Sequence, residues 1–237
     1  MPVDETERPA TVRVPGEIGH RLFAVLYRLA RRRLTAAPIR RVVGPVPIEH
    51  RQAFDRLLTA SLRPERGGRI DEPLPHLKAA FLNYLCDWRG YVAHGSPLAH
   101  LTRLEPLRLG ADTTAFGNRR QVFGSPDALW AMWFAIVDKT RVSRTDNGCV
   151  RVDRGPGRVK YYHFELPREA RATPPFVTGR VYLARPEDYP ERRDQGLLDW
   201  LDAEIEEWGS AGPVTPLLSV AVAPDDFPYL DRVQYRL

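Results

Sequence analysis

Three short segments carry residue types suited to handling a flat, polar ligand. The first is His94-Gly95-Ser96, at the end of the apolar run Tyr91-Val92-Ala93. An imidazole there can hydrogen-bond a sugar hydroxyl, and a glycine lets a planar group approach the backbone with no Cβ in the way. The serine adds one more polar contact. The second segment is Val122-Phe123-Gly124-Ser125-Pro126-Asp127, followed by the aromatic run Trp130-Ala131-Met132-Trp133-Phe134. Phe123 or Trp133 can stack on a ring. The third is Glu206-Glu207-Trp208, leading through Val214 to the apolar run Leu217–Val222. A carboxylate beside a sugar stabilises the positive charge that develops when the bond at its anomeric carbon breaks. Glu207 is the candidate for that role, with Glu206 as the alternative.

In this order the three segments resemble the ADP-ribosyltransferases of the diphtheria-toxin and poly(ADP-ribose) polymerase type. That family has His-Gly-Ser or His-Gly-Thr at a strand end, then an aromatic strand of the form Tyr-Phe-Ala with an aromatic helix, then a Glu-Tyr pair at a late strand. The resemblance covers roughly Tyr91 to Val222 and leaves residues 1–90 without a family. Two departures stand out. Val122 replaces the first aromatic of the second motif, and Trp208 stands where the family has tyrosine. The resemblance implies NAD as substrate, with His94 on a ribose, Gly95 pairing its N–H and C=O with the nicotinamide carboxamide, and Ser96 beside them. It further implies Phe123 or Trp133 stacked on the nicotinamide, and Glu207 as the catalytic carboxylate. The implied activity is cleavage of the nicotinamide–ribose bond and single transfer of ADP-ribose to an acceptor protein or nucleic acid. Close alternatives on the same fold are an RNA 2′-phosphotransferase and an NAD glycohydrolase. Outside catalysis stands a domain that only binds nucleotide or ADP-ribose, or that scaffolds a partner.

Each residue also has a plainer reading. His94 suits an ordinary turn, Trp130, Trp133 and Phe134 suit a buried helix face, and Glu204, Glu206 and Glu207 suit the solvated face of a helix. Other candidates are weaker. Ser96 and Ser125 lack a Gly-x-Ser-x-Gly context, and no Gly-x-Gly-x-x-Gly follows a strand. Asn147-Gly148 before Cys149 reads as a hairpin turn. His163 reads as a packed strand residue, and Asp225-Asp226 as a turn cap. The two cysteines, Cys86 and Cys149, neither build a disulfide framework nor suggest a metal cluster, and they point to a reducing, cytoplasmic setting.

The elements that must position these groups follow from periodicity. The chain has 237 residues, 43% of them hydrophobic, which is enough for a substantial core. No apolar stretch reaches the length of a membrane span, and the acidic start Met1–Glu7 is not a signal peptide. The net charge of +5 is carried by arginine, since Lys78, Lys139 and Lys160 are the only lysines. Residues 1–16 read as a flexible arm. Helical spacing predicts helices over residues 17–34, 49–62 and 75–88, with a Pro-rich, irregular or short extended connector over 35–48 and a loop over 63–69. Arg31-Arg32-Arg33 then suits a helix C-terminus, and these helices are available to a partner protein. From residue 90 short apolar runs predict strands at 91–93, 121–123, 150–152, 160–165, 181–184 and 217–222. A helix is predicted over 125–137, with Ser125 as N-cap and Pro126 following, and another over 197–206. The expected fold is α+β: a helical N-terminal region over 17–89, then a mixed or antiparallel split-sheet domain of ADP-ribosyltransferase type over 90–237.

Overall fold

The computed structural model describes residues 37–62, 67–71, 74, 77–106, 114–152, 158–193 and 203–236, together with Arg21, Phe23, Val25 and Tyr27. Three helices have defined bounds: α1 (Ile48–Ser61), α2 (Lys78–Asp87) and α3 (Ala128–Ile136). The strands are β1 (Ile39–Val43), β2 (Gly68–Ile70), β3 (Val92–Ser96), β4 (Val122–Gly124), β5 (Asp146–Val152) and β6 (Arg158–Leu166). They continue with β7 (Gly179–Ala184), β8 (Glu191–Arg192), β9 (Ala203–Ile205), β10 (Trp208–Ser210), β11 (Leu218–Val222) and β12 (Gln234–Tyr235). No helix among the described residues is long and apolar enough to cross a membrane.

The strands form three sheets. One has the order β1-β6-β5-β9, with β12 also on β6; the second runs β2-β11-β7-β3; the third runs β4-β10-β8. Two junctions tie them together. Ala93 and Ser125 make a single antiparallel pair that joins β3 to β4. Glu206-Glu207 carries the chain from β9 in the first sheet to β10 in the third.

The hub is α3. Eight of its nine residues are buried, Phe134 being the exception, because the sequence Ala-Leu-Trp-Ala-Met-Trp-Phe-Ala-Ile is apolar on every side. A helix of that kind is stable only when enclosed. It packs on β3 and β7, and glycines set the approach. A Cβ on Gly95 would overlap the Ala131 carbonyl oxygen, and one on Gly179 would overlap that of Ala135. Two glycines on neighbouring strands thus let the helix backbone rest directly on the sheet.

The expected helical N-terminal region is not what forms. The structure is mostly sheet, and the segment before residue 90 supplies strands as well as helices. β1 pairs antiparallel with β6, Ile39 opposite Tyr162, and β2 pairs parallel with β11, Leu218 opposite Gly68. Both partners lie more than a hundred residues away, so no local periodicity announces them. The ADP-ribosyltransferase type of fold therefore stands unconfirmed as an assignment. Smaller corrections have local causes. The N-cap of α3 is Asp127, whose carboxylate accepts from Trp130 N at 2.7 Å, while Ser125 Oγ accepts from Asp127 N at 3.0 Å. Asn147-Gly148 is not a turn but lies within β5, Gly148 opposite His163. Ala203–Ile205 is strand rather than helix end, and Arg69 lies in β2 rather than a loop. The expected arm, most of the first helix with Arg31-Arg32-Arg33, and residues 197–202 lie outside the described residues. Arg21, Phe23, Val25 and Tyr27 are helical, and Phe23 and Tyr27 pack in a cluster with Tyr161.

Gly179 tests the helix-on-sheet contact on β7, at the Ser96 end of β3. Gly179→Ala must push α3 off β7, and urea denaturation is expected to show a loss of about 1–3 kcal/mol or more. An unchanged midpoint would mean that the helix does not rest on the strand backbone.

Candidate functional site

β3 is hydrogen-bonded to β7 along its whole length, and to β4 at one pair only. Ala93 N donates to Ser125 O and Ser125 N to Ala93 O, both at 2.8 Å, so the main-chain groups of Ala93 face β4. Antiparallel ladders alternate, so Gly95, two residues on, must also turn its N–H and C=O towards β4. The partner there would be Phe123, but that pair does not form. His94 intervenes: its Nδ1 lies 2.7 Å from the Phe123 carbonyl oxygen. A carbonyl only accepts, so Nδ1 carries the proton. The strands therefore part just after Ala93–Ser125. Gly95 N–H, Gly95 C=O and Phe123 N–H face the gap with no partner among the described residues.

Side chains frame this gap. Gly95 has α3 behind it. His94 stands on the opposite face of the sheet, its ring centroid 6.4 Å from that of Tyr182. Burial holds its pKa below the usual histidine value despite the bond to Phe123, so the ring is neutral at pH 7 with Nε2 as an acceptor. Ser96 is buried, and its Oγ accepts from Leu98 N at 3.2 Å, which starts the turn out of β3. Phe123 is half-buried, edge-on to Phe116. Trp133 is elsewhere. It is fully buried among Phe164, Phe176 and Phe227 and does not reach the gap.

The third segment arrives through β10. Trp208 pairs with Gly124 and Gly209 with Phe123, so β10 lies beside β4 and β4 beside β3. Glu207 precedes Trp208 in the step between β9 and β10, not on a helix. Its Oε2 accepts from Arg193 Nη1 at 2.6 Å. Trp208 lies under the Arg192 guanidinium, 3.3 Å from the ring centroid. Glu206 points the other way, into the interior.

There it meets a charge cluster that sequence reading missed. The Lys160 ammonium on β6 lies 2.6 Å from Glu206, 2.9 Å from Asp87 and 3.1 Å from Asp127. Arg41 on β1 reaches Asp87 at 2.8 Å, and its Nε donates to Tyr162 OH at 3.0 Å. Tyr162 OH donates in turn to Asp127 at 2.7 Å. Arg151 on β5 holds Glu206 at 2.7 Å and also pairs with Glu204. Burial alone would push the Lys160 ammonium down, but Glu206, Asp127 and Asp87 hold it well above the usual lysine value. Burial opposes ionisation of Asp127, yet Lys160 and Arg41 keep its pKa below normal. At Glu206 burial wins over Lys160 and Arg151, and the pKa rises. The signal available beforehand was Lys160 itself, one of three lysines, set in a strand reading Val159-Lys160-Tyr161-Tyr162.

Asp127, Cys149 and Glu206 bring ligand-type atoms within 4.8 Å of one another. That triad does not fit a metal, because the ammonium already lies between its carboxylates and burial pushes the Cys149 thiol well up, away from thiolate. His163 is a packed residue, bonded to Tyr27 OH at 2.8 Å and to Asp146 at 3.2 Å. Asp226 caps its turn by accepting from Ala223 N at 2.8 Å. No protein-family model matches this chain, and no curated protein or solved structure matches it either.

Removing the ammonium tests the cluster. Lys160→Met leaves three carboxylates facing one another in the interior, at an expected cost of about 3–5 kcal/mol at pH 7. In the variant Glu206, which burial already holds above its usual pKa, loses its ammonium partner, so folding takes up protons there. The variant's deficit relative to wild type should therefore shrink as pH falls through the carboxylate range. A deficit constant from pH 7 to pH 4, followed by chemical denaturation, would show that the ammonium does not balance these charges.

Proposed function

We propose that the protein binds NAD at the gap between β3 and β4, cleaves the nicotinamide–ribose bond and transfers the ADP-ribosyl group to an acceptor, a protein or a nucleic acid. One observation carries the reading: the N–H and C=O of Gly95, without a partner among the described residues, at a parted strand edge. Main-chain groups left without protein partners need water or a ligand. A carboxamide supplies one acceptor and two donors in a plane, which complements a strand residue's N–H and C=O. The ring attached to it would lie against Phe123, the half-buried aromatic beside the gap, and not against the enclosed Trp133. His94, neutral and fixed by its bond to Phe123, would offer Nε2 to a ribose hydroxyl.

Glu207 is the carboxylate assigned to the chemistry. The register sets it one residue beyond the Trp208–Gly124 pair, near the Ala93–Ser125 junction. As the nicotinamide leaves, the ribose gains oxocarbenium character, and a carboxylate alongside stabilises that charge. Arg193 holds Glu207 in place until substrate competes for it. Glu206 is committed to Lys160 and Arg151 and is not the alternative it seemed. The buried free thiols of Cys86 and Cys149 support a cytoplasmic setting.

The ion pair between Arg193 and Glu207 favours a second reading, a domain that binds ADP-ribose without cleaving NAD. Adenylate-labelled NAD separates the two. Wild type should release nicotinamide, and Glu207→Gln should slow release by about 10²–10³-fold while still binding NAD. His94→Ala should weaken NAD binding itself. Wild type that binds ADP-ribose yet releases no nicotinamide establishes the binding reading. Nicotinamide release unaffected by either substitution overturns the mechanism.

A further inference from the structure

The register aligns four polar side chains across one face of the second sheet. His94 on β3 is opposite Tyr182 on β7, Tyr182 opposite Ser219 on β11, and Ser219 opposite Arg69 on β2. Directly opposed residues share a face. The chain leaving β3 folds back over the middle of this row. Tyr182 OH donates to Leu98 O at 2.6 Å and accepts from Leu101 N at 3.2 Å. Arg69 Nη1 donates to Ala99 O at 3.3 Å and lies 3.5 Å from His100 Nδ1. Between this loop and the β2–β11 edge lies a pocket of about 210 Å³.

Its chemistry is one-sided. Arg69, His100, Thr102, Tyr182 and Ser219 supply the polar lining, and none of the lining residues among those described is acidic. The Asp71 carboxylate, which pairs with Arg69, is shared: it accepts from Arg69 Nε at 2.6 Å and also from Arg180. One carboxylate between two guanidiniums leaves a surplus positive charge. Arg69 Nη2 has no partner among the described residues, so part of its planar donor fork is open. An open guanidinium edge, with the Thr102 hydroxyl and the His100 imidazole beside it, suits a tetrahedral oxyanion.

We propose that this pocket binds a phosphate group, as a site separate from the gap at Gly95. Its Arg69 end stands three strand spacings from β3, ~14 Å, its Tyr182 wall lies on the strand next to β3, and its outer wall is the direct continuation of His94-Gly95-Ser96. The proposal rests on the reading above only in naming a nucleotide as the source of the phosphate. A ligand seated there would hold the loop against Tyr182 and so act on the strand that carries His94.

Calorimetric titration at low salt with AMP, inorganic phosphate and nicotinamide tests it. AMP should bind wild type, and inorganic phosphate should compete with it. Arg69→Gln should weaken AMP by about tenfold or more. Thr102→Trp, which fills the pocket and leaves the Arg69–Asp71 pair intact, should do the same. Nicotinamide affinity should be unchanged in both variants. AMP binding that depends on Arg69, in a protein that binds no nicotinamide, upholds the pocket and overturns the NAD reading. NAD cleavage in a protein that binds neither AMP nor phosphate at this pocket, or AMP affinity equal in all three proteins, overturns the pocket.

Discussion

The rest of the structure depends on the Lys160 ammonium and the three carboxylates around it. Each comes from a different element: Asp87 ends α2, Asp127 caps α3, and Glu206 stands where β9 gives way to β10. Arg41 and Arg151 add contacts from β1 and β5. One enclosed cation thereby ties the first sheet to α3, which packs on the second, to α2 beside it, and to the central strand of the third. Apolar packing would bury as much surface without preferring one alignment. A charge that must meet its counter-charges does prefer one, because a single-residue slip of β6 would turn Lys160 to the other face and strand it. The cluster is thus better understood as a specification of register than as a source of stability.

That specification reaches the candidate site along the chain. Asp127 fixes the start of α3, and α3 sits against Gly95 and Gly179. Glu206, pinned inward, leaves Glu207 to emerge on the other side, where Arg193 receives it. β10 then pairs with β4, and β4 meets β3 at one point before His94 parts them. Rigid elements hold the main-chain groups at the gap, so a ligand there meets donors and acceptors already oriented, with little ordering left to do.

The Gly95 gap and the Arg69 pocket lie at opposite ends of one row of register partners, with the loop after β3 clamped between them by Tyr182. A short, twice-bonded loop of this kind couples its two ends mechanically. The side that carries charge is also the side away from the apolar hub, where α3 excludes water. Polar work is therefore confined to one face of the sheet and enclosure to the other.

Much of the architecture was written in local pattern. The apolar runs found their strands, and α1, α2 and α3 fall close to the helices that periodicity predicts, because burial of one face imposes its own spacing. The types His94, Gly95 and Phe123 were likewise visible as residues able to hold a planar ligand. Long-range pairing was not legible. β1 and β2 read as connector and loop because their partners, β6 and β11, are distant in sequence. Glu206 and Glu207 looked alike on the page, and only the bend between β9 and β10 sent one inward and the other to Arg193. Lys160 stood only as one of three lysines, and its role came from three separate elements that bring carboxylates to it. Sequence by itself determined which residues seek burial and which can do chemistry, since both are properties of side chains. Tertiary structure alone decided which of them meet, since a hydrogen bond or ion pair depends on ångström distances between segments that the linear order does not encode.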